Sequence, residues 1–130
     1  MARKILCIDD EPAILNIIKK RLESRHYEVL TASNGLSGIQ QAKESKPDII
    51  LLDILMPGMD GHETCKRLKA DEVTKGIPVI FFSCDIKVGV QTQCLEEGAV
   101  GIVLKPDLYE LFPAIESVLS GKKIDGEGFD

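Results

Sequence analysis

The sequence predicts an α/β fold, a three-layer sandwich in which five helices cover both faces of a five-stranded parallel sheet. Two observations carry this. Short β-branched runs alternate from end to end with stretches whose apolar residues recur at helical spacing, so the chain divides into five strand-helix units. The strand segments are also continuously apolar, as in Ile49-Ile50-Leu51-Leu52, which marks a sheet buried on both faces. Repeated units of this kind imply parallel strands joined by right-handed crossovers.

The first strand is expected at residues 5–8, and the helix after it carries Ile14, Leu15, Ile18 and Leu22, with Pro12 suited to its first turn. A second strand at 29–32 leads through Asn34-Gly35 into a helix with Leu36, Ile39 and Ala42. The third strand, 49–52, is followed after Gly61 by a helix with Cys65 and Leu68. The fourth, 79–82, precedes a helix with Val90, Cys94 and Leu95 that Gly98 suits as a terminator. The fifth, 102–104, leads to the best-marked helix, with Leu108, Leu111, Phe112, Ile115 and Leu119 behind an acidic form of the capping box, Asp107 with Glu110.

A chain of 130 residues with 44% hydrophobic residues suits one folded domain with a single core and argues against disorder. Its apolar runs fall far short of the roughly 20 residues that span a bilayer. After Met-Ala-Arg-Lys a run of only four apolar residues precedes Asp9 and Asp10, too short for a secretory signal, so a cytoplasmic location is expected. Acidic residues outnumber Lys and Arg, 21 to 16, which argues against direct nucleic-acid contact. The basic groups Lys19-Lys20-Arg21 and Lys66, Arg67, Lys69 read as solvated helix ends, and His26 and His62 as surface residues. Cys7, Cys65, Cys84 and Cys94 show no metal or redox spacing and read as reduced, small apolar residues.

In a parallel α/β sheet, ligands bind outside the carboxyl ends of the strands. Those positions hold Asp9, Asp10 and Glu11 after the first strand, Asp53 after the third, Ser83 after the fourth and Lys105-Pro106 after the fifth. Three carboxylates at one sheet edge repel one another, so at least one pKa is expected to rise unless a cation intervenes. An all-oxygen, carboxylate-rich site suits Mg²⁺. A lysine and a hydroxyl add donors for an anion, and together these parts match phosphoryl transfer to a carboxylate.

Four segments in order resemble the receiver domains of two-component response regulators: residues 5–12 (ILCIDDEP), 48–61 (DIILLDILMPGMDG), 78–83 (PVIFFS) and 101–106 (GIVLKP). The resemblance runs over about residues 3 to 120. It implies a flavodoxin-like strand order 2-1-3-4-5, with a receiver at 1–120. The stretch 121–130 is expected to be a flexible tail or the start of a linker, so the chain is either a stand-alone receiver or the N-terminal piece of a longer protein.

By the same resemblance, Asp53 is the phosphoacceptor, attacking phosphohistidine on a sensor histidine kinase or histidine phosphotransfer protein, or a small phosphodonor. Asp10 and Asp53 bind Mg²⁺ directly, Asp9 acts through water, and the backbone carbonyl of Leu55 completes the set. Ser83 is the switch hydroxyl, Lys105 pairs with the phosphoryl group, and the Lys105-Pro106 bond is cis. The module is a switch rather than a metabolic enzyme. It signals to a downstream protein target, with a phosphorylation-dependent homodimer through the fourth helix, fifth strand and fifth helix as one possible outcome.

The sequence departs from the family pattern in places. The switch position three residues before the lysine, often aromatic, holds Ile102, expected as a buried residue with less area to move. The output signal is therefore expected in the loop after Ser83 and a helix starting near Ile86. Leu55 and Asp85 occupy the positions that tune phosphoryl lifetime; apolar Leu55 is expected to slow hydrolysis, and Asp85 to offset it in part. Asp107 stands in place of a frequent Phe and loses some apolar anchoring. A haloacid-dehalogenase-type phosphatase would need Asp where Leu55 stands, and a flavin or nucleotide binder a glycine-rich phosphate loop that is absent. The remaining alternative is a pseudo-receiver, a protein-binding module that is never phosphorylated, against which the intact acids, Ser83 and Lys105 argue.

Overall fold

The computed structural model describes residues 2–84, 89–105 and 107–121. Asp85, the helix start near Ile86, Pro106 with its peptide bond, and nearly all of the 121–130 stretch lie outside the described residues.

The elements alternate strictly: β1 (Lys4–Ile8), α1 (Pro12–Glu23), β2 (Glu28–Ala32), α2 (Gly35–Ser45), β3 (Ile49–Leu52), α3 (Gly61–Ala70), β4 (Val79–Ser83), α4 (Val90–Glu96), β5 (Gly101–Leu104) and α5 (Leu108–Leu119). The five strands form one parallel sheet in the order β2-β1-β3-β4-β5, as expected. β3 and β4 are buried along their whole length, whereas the edge strands β2 and β5 are buried only in part. A central strand has helices over both faces, so its side chains are apolar up to the polar carboxyl end; an edge strand keeps only part of that cover.

Successive strand residues feed two separate apolar layers. Ile5, Cys7, Ile49, Leu51, Ile80 and Phe82 pack with Ile18 and Leu22 of α1 and Leu111, Phe112 and Ile115 of α5. Leu6, Ile8, Ile50, Leu52, Val79 and Phe81 pack with Ala42 of α2, Cys65 and Leu68 of α3 and Cys94 of α4. The period-2 alternation of a strand thus sorts α1 and α5 to one face and α2, α3 and α4 to the other. Side-chain caps set three helix starts: Asn34, Asp60 and Asp107 accept from the amides of Ser37, Glu63 and Glu110. Gly98, at φ +102°, follows the end of α4 in the left-handed conformation that lets the chain turn back.

The packing corrects some sequence expectations. His62 is not a surface residue; its half-buried ring lies 2.6 Å from the Glu97 carboxylate and against Phe81. Lys69 is not a freely solvated helix end: its amine donates to the carbonyls of Ile77 (2.6 Å) and Lys75 (3.2 Å), and burial lowers its pKa. The stem of Lys69 covers Gly98, where a Cβ would come within 2.9 Å of it. All four cysteines are free, but only three are core residues, since Cys84 is exposed just beyond β4. Among the described residues, no helix is long and apolar enough to cross a membrane.

Candidate functional site

The parallel sheet delivers the carboxyl ends of β1, β3, β4 and β5 to one edge, and each contributes a polar residue. Asp9 follows β1 and Asp53 follows β3, locked together by the bond from the Asp53 amide to the Ile8 carbonyl (3.0 Å). Ser83 ends β4 as its last residue, one position later than the expected strand end, and the Lys105 amide donates to its carbonyl at 2.9 Å. Asp9, Asp53, Ser83 and Lys105 are all buried. Buried charged groups survive only when paired, and here they pair with each other.

Lys105 Nζ is the centre of the network. It sits 2.5 Å from Asp9 Oδ2, 3.3 Å from Asp53 Oδ2 and 3.4 Å from Glu11 Oε1. The other Asp9 oxygen accepts from the Glu11 amide at 2.9 Å, which fixes the turn into α1. Burial pushes the Asp53 carboxyl above its ordinary pKa and the Asp9 charge adds to the push, while Lys105 and a hydrogen bond with the Ser83 side chain pull it back only in part. For Lys105, burial acts downward, but the hydrogen bond to Asp9 and the charges of Asp53 and Asp9 outweigh it and leave the amine above its ordinary value. Both shifts favour the protons that keep this cluster from carrying its full negative charge.

Ligand atoms of Asp9, Asp10 and Asp53 lie within 4.8 Å of one another, with Asp10 half-buried at the rim. Three carboxylates and no sulfur or imidazole make a hard donor set, which fits Mg²⁺. Leu55 lies two residues beyond Asp53 and is 52% exposed, open to solvent. Ile102 is half-buried against the layer beneath α2, α3 and α4, not buried as expected, because β5 is an edge strand.

Two contributors carry no role in the sequence reading. Glu11 reaches Lys105 from the far end of the chain, and the acidic run Asp9-Asp10-Glu11 was its only signal. Gly61 opens α3 directly against Asp53: a Cβ there would lie 2.1 Å from the Asp53 carbonyl oxygen and 2.7 Å from the Ile54 Cα. Its amide donates to the Ile54 carbonyl at 2.8 Å, so glycine lets α3 close against the end of β3.

The model for the response regulator receiver domain matches residues 5–116. This chain belongs to that family. Response regulator PleD of Caulobacter vibrioides is 38% identical over 128 residues, 98% of this chain, but the chain spans only 28% of PleD. Protein PilH of Pseudomonas aeruginosa is 36% identical over 93% of this chain and 100% of its own length. Among solved structures, chemotaxis protein CheY4 of Vibrio cholerae superposes with a TM-score of 0.85 at 27% identity, covering 91% of this chain and 99% of that one. The receiver domain of sensor histidine kinase PA1611 from P. aeruginosa, described with a magnesium ion in its active-site cleft, shares the fold at a TM-score of 0.82 and 24% identity, covering 94% of this receiver and 100% of that chain.

Proposed function

We propose that this receiver takes a phosphoryl group on Asp53 and uses it to switch a protein-interaction surface in two-component signalling. The observation that carries this reading is the buried Asp53 carboxylate held at the sheet edge between two further acids and Lys105, beside the Ser83 hydroxyl. An Asp53 oxygen attacks the phosphorus of a phosphohistidine on a sensor histidine kinase or histidine phosphotransfer protein. The P–N bond breaks, its electron pair leaves with the imidazole, and an acyl phosphate forms.

Asp10, Asp53 and the Leu55 carbonyl would hold Mg²⁺, with Asp9 acting through water; the cation supplies charge neutralisation for the incoming phosphoryl oxygens. Lys105 exchanges part of its contact with Asp53 for the phosphoryl group, and its two further carboxylate contacts keep its amine at the site. Ser83 turns its hydroxyl toward the new oxygens, and half-buried Ile102 repacks with it. Leu55 and Asp85 set how readily water reaches the acyl phosphate.

Phosphorylation then acts as a population shift on α4, β5 and α5. Exposed apolar residues on each support that face as the output surface: Leu95, Leu104 and Tyr109. It would bind a downstream protein or a second copy of the receiver. Residues 1–120 form the switching unit, a cytoplasmic location fits its partners, and the chemistry is that of a switch and not of a metabolic enzyme.

Incubation with acetyl phosphate and Mg²⁺, followed by intact-mass measurement, tests the reading. Wild type gains the mass of one phosphoryl group and Asp53→Ala gains none. No adduct on wild type, or an equal adduct on the variant, would leave a pseudo-receiver acting by protein contact alone.

A further inference from the structure

A second cluster of metal-ligating side chains lies away from the acidic site, where α3 meets the end of α4. His62, in the first turn of α3, Cys94 of α4 and Glu97, which caps α4, each place one ligand atom within 4.8 Å of the others. Their chemistry differs from the acidic site: one imidazole, one thiol and one carboxylate form the mixed N/S/O set that Zn²⁺ takes. We propose that His62, Cys94 and Glu97 form a second cation site, selective for a thiophilic divalent ion such as Zn²⁺ over Mg²⁺.

The surroundings are those of a built site. Gln93 Nε2 donates to Glu97 Oε2 at 3.1 Å while Oε1 faces His62, so both carboxylate oxygens are oriented. The His62 ring is held by Phe81, 5.7 Å away between centroids. Cys65 Sγ donates to the Glu97 carbonyl at 3.5 Å and steadies the helix end from below. Such outer contacts aim ligands at a metal. A polar groove of about 550 Å³ lined by His62, Gln93, Asp60 and Lys66 opens on the imidazole side of the cluster.

Tetrahedral zinc with bonds of about 2.0–2.3 Å sets its ligand atoms about 3.3–3.8 Å apart, so the cluster needs adjustments of about 1 Å. The His62–Glu97 contact opens and the thiol closes in. Binding replaces the Cys94 thiol proton, which leaves for solvent, and the bridging proton moves off His62 Nδ1 to Nε2 or to solvent. Burial and the Glu97 charge hold the Cys94 thiol up to about 12 without a metal, and coordination removes that proton outright. The bound ion would clamp the end of α4 to α3 and restrain the face that carries Leu95.

Cobalt(II) titration of the full chain, followed in the near ultraviolet, tests this. With excess Mg²⁺ filling the acidic site, a thiolate-to-cobalt charge-transfer band saturating at one equivalent is expected; cobalt at the acidic site has only oxygen ligands and gives no such band. The band persists in Cys84→Ser, which removes the exposed thiol, and in excess Mg²⁺; it disappears in Cys94→Ala and needs at least about tenfold more cobalt in Glu97→Gln. Circular dichroism confirms that the variants fold. No band in wild type, its loss in Cys84→Ser, or its survival in folded Cys94→Ala overturns the proposal and leaves His62–Glu97 as a helix-packing contact.

Discussion

Replacing Asp53 by asparagine is expected to stabilise the protein at neutral pH in the absence of Mg²⁺, because the Asp53 carboxylate is held against its electrostatic preference. The Lys105 amine at 3.3 Å attracts Asp53 by about 5 kcal/mol at an effective dielectric of about 20. Asp9 and Asp10, with ligand atoms within 4.8 Å, each repel it by about 3.5 kcal/mol on the same scale, the Asp10 contribution being the more screened because that residue is half-buried. The effective cost of burying the ion adds several kcal/mol more. The balance disfavours the charge, in agreement with the upward pKa shift. Asparagine keeps the shape and can donate to Asp9, so a gain of about 1–3 kcal/mol is expected. At about 4 °C per kcal/mol for a domain of this size, the variant melts about 4–12 °C higher.

The pH dependence follows from the direction of the same shift. With its folded pKa above the ordinary 3.8, Asp53 binds its proton more tightly in the folded than in the unfolded chain. The Asp53 contribution to wild-type stability therefore falls as pH rises from 3.8 through the raised value, and the advantage of Asp53→Asn grows over that window and is full above it. Thermal melts of both proteins in chelator, at neutral pH and at pH 3.8 or below, measure this. Equal or lower stability of the variant at neutral pH, or a gap that does not shrink on acidification, would refute the reasoning. Added Mg²⁺ narrows the gap by stabilising wild type.

Lys105→Met leaves Asp9 and Asp53 buried without their cation and costs about 3–5 kcal/mol in urea denaturation at neutral pH, partly restored by Mg²⁺. Because the Lys105 pKa is raised, its stabilisation is fully present below 10.5, and the gap to wild type closes as pH rises through the folded value. Gly61→Ala forces a Cβ against the Asp53 and Ile54 backbone, so it destabilises by about 3 kcal/mol or more in the same assay and slows acetyl phosphate labelling by displacing the acceptor. If Asp53 is phosphorylated as proposed, Leu55→Asn, at an exposed position two residues on, is expected to shorten the acyl phosphate half-life severalfold in a radiolabel decay assay; an unchanged half-life would remove Leu55 from the control of water.

Legibility in the sequence tracked the range of each interaction. The continuous apolar run of β3 is a local property, as is the Asp107 cap, and the structure holds them where periodicity and capping rules place them. Asp9, Asp53, Ser83 and Lys105 could be gathered from a linear reading because a parallel sheet brings all strand ends to one edge. His62 was misjudged because its partner Glu97 lies 35 residues away, and Lys69 because its carbonyl partners belong to a turn whose path no local pattern specifies. Ile102 is apolar in a strand, which suggests burial, yet its strand is at the sheet edge.

By itself the sequence determined the order and type of the elements, the parallel sheet and the identity of the residues at its carboxyl edge, because these depend on the spacing of apolar and polar residues along the chain. Only the tertiary structure decided how those residues balance. Lys105 answers to three carboxylates at once, and Gly61 matters for the atom it lacks. His62, Cys94 and Glu97 become neighbours through the packing of two helices. Distances and desolvation are properties of the folded arrangement, and they turn a list of acidic residues into a cluster with one raised carboxyl and one raised amine.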